Sequence, residues 1–165
     1  MKVLIIGGVA AGTKAAAKIK RLNRGMEVQL ITKGEDISYA GCGLPYYVGG
    51  TIESREQLIV NSPAKYAALT GAEVLTGREA VKLDAAGKMV TARNLRTGET
   101  ETYSYDKLVI ATGASPVVPP VAGTALEGVF TMRTPEDAVA TRAWAQENGV
   151  RKAVVVGGGF IGLEL

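Results

Sequence analysis

An α/β fold is predicted: a parallel sheet carrying an inserted antiparallel β-meander, followed by the start of a second α/β unit. Three observations predict it. A short apolar run closed by glycines, "VLIIGG" at 3–8, opens the chain and passes into a helical pattern. A second run of the same kind, "AVVVGGG" at 153–159, leads into "FIGLEL". Between them, residues 72–110 change to short alternating segments punctuated by Ala86-Gly87 and Thr97-Gly98. A continuous apolar run bounded by turn residues reads as a strand buried on both faces, the environment of a parallel sheet covered on each side.

The elements follow in order. Val3 to Ile6 is the first strand, and "GTKAAAKIKRLNR" at 12–24 is an alanine- and lysine-rich helix stopped by Gly25. "EVQLIT" at 27–32 is the second strand, which completes a βαβ unit of the usual size, about 30 residues. "NSPAKYAALTG" places Ser62 as N-cap, Pro63 in the first helical turn and Gly71 as the stop. The alternating stretch that follows predicts an antiparallel meander ending in a buried strand, "KLVIA". "GASPVVPPVAG" at 113–123 is an extended connector. "TPEDAVATRAWAQENG" is a helix opened by Thr134 and Pro135, acidic in its first turn, and ended by Gly149. "KAVVV" then predicts a strand running into a glycine turn and the first turn of a helix.

Each glycine loop follows an apolar strand and opens a helix: Gly7-Gly8-Val9-Ala10-Ala11-Gly12 and Gly157-Gly158-Gly159-Phe160-Ile161-Gly162. In that context the first glycine makes the tight turn, the middle position admits a pyrophosphate, and the last lets helix and strand pack closely. The helix N-terminus offers amides and a positive dipole to phosphates. The second loop is a full G-x-G-x-x-G match, while the first carries Val9 at its middle position. Both point to Rossmann-like dinucleotide folds. The fingerprint also asks for an acid about 20 residues on. For the first loop that position is Thr32, with Glu35 and Asp36 just beyond it as substitutes.

Composition narrows the function. The 165 residues are 47% apolar with a net charge of +3, globular and without a nucleic-acid-reading motif; two Phe and one Trp give few stacking platforms. There is no histidine and only one cysteine, Cys42, so no internal disulfide is possible and no metal site is expected. "MKVLIIGG" is too short an apolar run for a signal peptide or a membrane span, which makes the cytoplasm the expected location.

Two glycine loops, a cysteine shortly after the second strand, "TYSYDKLVIATGASPVVPP" and "VVVGGGFIGLEL" together resemble the pyridine nucleotide–disulfide oxidoreductases over essentially the whole chain. The resemblance implies a Rossmann-like FAD-binding fold at 1–113, a connector and helix at 114–150, and the start of a Rossmann-like NAD(P)-binding domain at 151–165. The chain then reads as the N-terminal part of a longer, homodimeric protein. Electrons would pass from NAD(P)H through FAD to a redox-active sulfur. Tyr47 stands five residues after Cys42, where a dithiol enzyme has its second cysteine, so the resemblance is to the single-cysteine branch. Within it, "CGLPYYVGG" looks most like the coenzyme A-disulfide reductases, although Gly41 stands where those often have asparagine. Ala10 replaces the histidine of NADH peroxidases.

The resemblance also implies site residues. Gly7, Ala10, Ala11 and Gly12 would surround the FAD pyrophosphate, with Thr32 and Lys33 near the adenosine ribose, where Thr32 replaces the family's usual acid. Val81 would offer its backbone to the adenine; Ala111, Thr112, Gly113 and Arg133 would lie by the flavin. Gly157, Gly159, Phe160, Ile161 and Gly162 would begin the NAD(P)H site, with Glu164 approaching the flavin. Cys42 is the catalytic candidate, placed where a short helix could begin and favour the thiolate. Ser38, Lys14, Lys18 and Arg21 are the substrate candidates; the three cations share one helical face, which reads either as a solvated basic face or as a site for coenzyme A phosphates. The expected substrate is a small disulfide or persulfide linked to coenzyme A. An NADH oxidase of the same fold and a flavin module passing electrons to a partner protein are the alternatives.

Overall fold

The computed structural model describes every residue, Met1–Leu165. The chain forms two compact units, the first from 1–39 and 61–113, the second from 40–60 and 114–165.

In the first unit, β1 (Lys2–Ile6), β2 (Glu27–Ile31), β3 (Glu73–Leu75) and β7 (Lys107–Ile110) form an all-parallel sheet in the order β3-β2-β1-β7. Helix α1 (Ala10–Leu22) links β1 to β2, and α3 (Pro63–Thr70) precedes β3. A three-stranded antiparallel sheet, β4 (Arg78–Asp84), β5 (Met89–Asn94) and β6 (Thr100–Ser104), is the inserted meander. Side chains of a strand alternate between faces. Val3 and Ile5 accordingly pack with Ala16, Val28, Leu30 and Tyr66 on the helix side. Leu4 and Ile6 pack with Ile31, Val90, Ala92 and Tyr103 on the meander side. That two-sided burial is why the first strand is apolar at every position from Val3 to Ile6.

The structure departs from the sequence expectation at four places. The segment at 73–75 was expected within the meander, but it pairs in parallel with β2, Gln29 opposite Glu73, because β2 would otherwise end the sheet as a bare edge. "KLVIA" was expected to be buried; β7 is instead an edge strand paired only with β1, and Ile110 is 62% exposed. Helix α1 begins at Ala10 rather than Gly12, so the loop residues Ala10 and Ala11 are already helical. "KAVVV" forms no strand within these 165 residues, and 152–156 are exposed; a strand exists through its ladder, and no other segment within this stretch pairs with it.

The second unit is built on α2 (Leu44–Val48) and α4 (Pro135–Glu147), with single 3-10 turns at Gly41–Gly43 and Arg55–Leu58 and a short α5 (Phe160–Glu164). Its core is Leu44, Leu58 and Ala138. The N-terminus of α4 is capped as its sequence predicts: Thr134 Oγ1 accepts from the Asp137 amide, and Asp137 accepts from the Thr134 amide at 2.8 Å.

A polar cluster ties the meander to the sheet. The Glu101 carboxylate accepts from Tyr103 Oη, from Asn94 Nδ2 at 2.7 Å and from Arg78 at 3.2 and 3.3 Å, while Arg78 also donates to the Thr76 carbonyl at 2.8 Å. The Tyr103 hydrogen bond, with Arg78 and Asn94, pulls the Glu101 carboxyl down to about 2 from an ordinary 4.5. A depressed carboxyl contributes stability above its unfolded value and loses it as pH falls through its folded value. Urea unfolding should therefore show roughly 1 kcal/mol lost between pH 4.5 and 2 through this residue, a figure kept small because the pair is partly solvated. Glu101→Gln should remove that part of the acid slope; an unchanged slope would contradict the assignment.

Candidate functional site

The first unit carries a cleft at the carboxyl ends of β1, β2 and β7. Strand order reverses about β1, with β2 on one side and β7 on the other, and crevices of this kind form at such a switch point. Gly7, Thr32, Lys33, Arg78, Glu79 and Thr112 line it, over Ile6 and Ala80.

Its rim is the first glycine loop. Gly7 has φ +108°, and a Cβ there would lie 2.1 Å from the Ala111 carbonyl oxygen. At Gly12 a Cβ would lie 1.8 Å from the Gly7 carbonyl oxygen. These are contacts with backbone, so neither position admits a side chain. Val9, at the middle fingerprint position, is the N-cap of α1 and supplies no capping side chain; no acid occupies the first turn. The first amides of a helix have no intrahelical partner. Here, at Ala10, Ala11 and Gly12, they meet no side-chain cap and no neutralising carboxylate, an arrangement suited to an anion. Thr13 holds the turn by donating to the Val9 carbonyl, and Tyr66 Oη of α3 donates to the Thr13 carbonyl.

Two further segments press on the loop. The Ser38 amide donates to the Gly8 carbonyl at 2.9 Å, with Ser38 itself in the left-handed region at φ +50°. A non-glycine residue held there costs free energy that the surrounding contacts must offset. On the other side, the Ala111 amide donates to the Ile6 carbonyl at 2.8 Å and leads into Thr112 and Gly113. Gly7, Ala10, Ala11, Gly12, Thr32, Lys33, Ser38, Ala111 and Thr112 are thus brought to one end of one sheet.

Other candidates sit elsewhere. Val81 lies just beyond the cleft lining, at a β-bulge where the register passes from Ala80 opposite Ala92 to Lys82 opposite Thr91. That leaves Val81 without a residue opposite it in the ladder. Lys14, Lys18 and Arg21 are exposed along α1. Seven residues separate Lys14 from Arg21, about 10 Å along the axis at 1.5 Å per residue. Arg21 borders a separate groove with Lys20, Arg24 and Leu69. Glu35 is bound by Arg96 and by Thr76 Oγ1 at 3.1 Å.

In the second unit, Cys42 is free and exposed in the middle of the 3-10 turn, not at the head of α2, whose N-cap is Gly43. Packing fixes that turn. Gly43 is buried, and a Cβ there would press on Ile52 and Leu58 at 3.1 Å, whereas a Cβ at Gly41 would meet nothing within 4 Å. Gly41 therefore has space for a Cβ, whereas Gly43 does not.

Arg142 of α4 is a residue that the sequence did not single out. Its guanidinium lies 4.7 Å from the centre of the Tyr47 ring and donates to the carbonyls of Tyr47, Ile52 and Glu53 at 3.1, 3.0 and 3.2 Å. It fastens the segment after Cys42 to α4. Hydrogen bonds to a charged group are worth about 1.5–3 kcal/mol each, so this one side chain outweighs the exposed Arg55–Glu136 pair that joins the same regions. Arg133 donates from Nε to the Ala114 carbonyl at 2.9 Å.

The second glycine loop repeats the first. Gly157 has φ +117°, and a Cβ on Gly162 would lie 2.1 Å from the Gly157 carbonyl oxygen. Gly159 caps α5, which carries Phe160, Ile161, Gly162 and Glu164. The same steric demand at the same spacing marks both loops as one kind of glycine turn into a helix.

Comparison with known proteins gives the family and the fold. A family model described as pyridine nucleotide-disulphide oxidoreductase matches residues 1–165. An NADH oxidase of Methanocaldococcus jannaschii is 39% identical over 165 residues, which is all of this chain and 37% of that protein. A CoA-dependent NAD(P)H sulfur oxidoreductase of Pyrococcus abyssi is 41% identical over 163 residues, 99% of this chain and 35% of the relative. The structure of reduced Bacillus anthracis CoADR-RHD superposes with a TM-score of 0.96 at 38% identity, covering 99% of this chain and 29% of that one. The chain thus spans little more than a third of the length of these curated relatives. No helix in it is long and apolar enough to cross a membrane.

Proposed function

Because the chain belongs to the pyridine nucleotide-disulphide oxidoreductase family, we propose that the whole protein is a homodimeric FAD-dependent NAD(P)H oxidoreductase that reduces a coenzyme A-linked disulfide or persulfide at Cys42. The family works with FAD and NAD(P)H. The first unit fits such a group: the backbone at Gly7 and Gly12 excludes side chains, and the head of α1 is uncapped. FAD, when bound, supplies two-electron exchange between nicotinamide and sulfur.

The observation that carries the reading is Cys42: one thiol, exposed, on a turn immobilised by the packing of Gly43 and Leu44. Within these 165 residues Cys42 has no second cysteine to pair with, so a disulfide formed by it here is a mixed one with the substrate. The Cys42 thiolate would attack one sulfur of the substrate disulfide, form a mixed disulfide and release the other half as a thiol. That exchange conserves electrons, so freeing the second thiol takes two more, from NAD(P)H. An unpaired thiol also suits a reducing compartment, here read as the cytoplasm.

An NADH oxidase, with Cys42 cycling through a sulfenate, is the second reading, favoured by the name of the Methanocaldococcus relative. Intact mass of the full-length protein after anaerobic exposure to coenzyme A disulfide separates the two. A coenzyme A-sized adduct on Cys42, removed by dithiothreitol, is expected. A folded protein whose thiol stays unmodified would move the assignment to the oxidase.

A further inference from the structure

Resting on the reading of the first unit as an FAD site, we infer that Glu79 supplies the carboxylate that reads the adenosine ribose, from β4 rather than from the end of β2. The usual strand-end acid is absent. That position is Thr32, which is 7% exposed and whose backbone is spent on the sheet: its amide donates to the Leu75 carbonyl at 3.0 Å, and its carbonyl accepts from the Arg78 amide at 2.8 Å. The next acid along, Glu35, lies outside the cleft lining and is bound by Arg96 and Thr76.

Glu79 is the one acid among the residues that line the cleft. Its side chain is 25% exposed, one oxygen taking Lys33 Nζ at 2.9 Å and the other Arg93 at 2.6 Å. A carboxylate offers about four lone-pair sites, so two cations hold it in place and leave it able to accept from hydroxyls. Hydrogen bonds from Lys33 and then Arg93 hold it below the usual carboxylate range and so ionised. The bulge at Val81 follows at once in the strand, the kind of irregularity that re-aims side chains beside a site. Without Glu79, Lys33 and Arg78 would leave the cleft cationic, a setting for a phosphorylated ribose rather than a free diol.

The test uses the full-length protein stripped of flavin, with FAD binding followed by fluorescence and ADP compared with 2′-deoxy-ADP by calorimetry. Glu79→Gln should weaken FAD by about 10- to 100-fold, the loss expected for hydrogen bonds to a charged acceptor. It should also erase the wild-type preference for ADP over 2′-deoxy-ADP, and Thr32→Glu added to it should restore FAD binding. A variant that keeps both affinity and preference overturns the inference while leaving the FAD reading intact. Wild-type protein that takes up no FAD overturns that reading and the inference with it. Should Glu79→Gln fail to fold, the wild-type ratio still decides: equal affinity for ADP and 2′-deoxy-ADP overturns the role given to Glu79.

Discussion

Replacing Gly12 by alanine is expected to lower the melting temperature by about 12 °C or more and to abolish FAD uptake. The new Cβ would stand 1.8 Å from the Gly7 carbonyl oxygen and 3.3 Å from Ile5 Cγ2. Carbon and oxygen cannot approach so closely. The nearest atom is backbone, so no rotamer change relieves the overlap. Either α1 moves away from β1, opening the core of Val3, Ile5 and Ala16, or the loop opens and its amides no longer converge. Overpacking of this kind costs about 3 kcal/mol at the upper end of its usual range. For a unit near 100 residues each kcal/mol shifts melting by about 4–8 °C. Gly41→Ala is the control, since a Cβ there meets nothing within 4 Å and should leave melting within about 2 °C of wild type. Thermal denaturation of both variants decides; a Gly12→Ala protein that melts with wild type would falsify the close helix–strand packing assigned to this loop.

The second large effect is on chemistry rather than stability. Cys42→Ser in the full-length protein should reduce NAD(P)H-driven cleavage of coenzyme A disulfide by about 1,000-fold or more, because a serine hydroxyl is neither the nucleophile nor the electron acceptor that a thiolate is. Melting should be unchanged, since Cys42 is exposed and the 3-10 turn around it is fixed by Gly43 and Leu44, not by the sulfur. Steady-state thiol release with NADH and with NADPH measures the first expectation. Turnover that survives the substitution would sink the sulfur reading and point to electron transfer onto a partner protein.

Much of this was legible in the chain. Ser62, Pro63 and Gly71 bound α3 where their chemistry says they should: Ser62 Oγ accepts from the Lys65 amide at 3.3 Å, and Gly71 takes φ +73°. Thr134 and Asp137 do the same for α4. Caps and turns are satisfied by residues three or four positions away, so their partners are present in any short window. The glycine loops were legible for a related reason: a position that excludes every side chain leaves glycine as its signature.

What failed to show in the sequence is whatever depends on pairing across the fold. "EVL" at 73–75 alternates no differently from the meander strands after it, and its place in the parallel sheet follows only from the open edge of β2. Arg142 reads as one more cation on an exposed helix, yet it gathers three carbonyls from 47–53, some 90 positions earlier. Glu79 gained its role through Lys33 and Arg93, which β2 and β5 deliver to it.

By itself, then, the sequence determined the two glycine turns into helices, the caps of α3 and α4 and the lone thiol of these 165 residues, because each is set by local sterics, local hydrogen bonding or simple count. The tertiary structure alone decided which strand pairs with which, which carboxylate faces the cleft and which arginine holds the segment after Cys42. Those outcomes rest on contacts between groups far apart in the chain, whose energy exists only once the fold has brought them together.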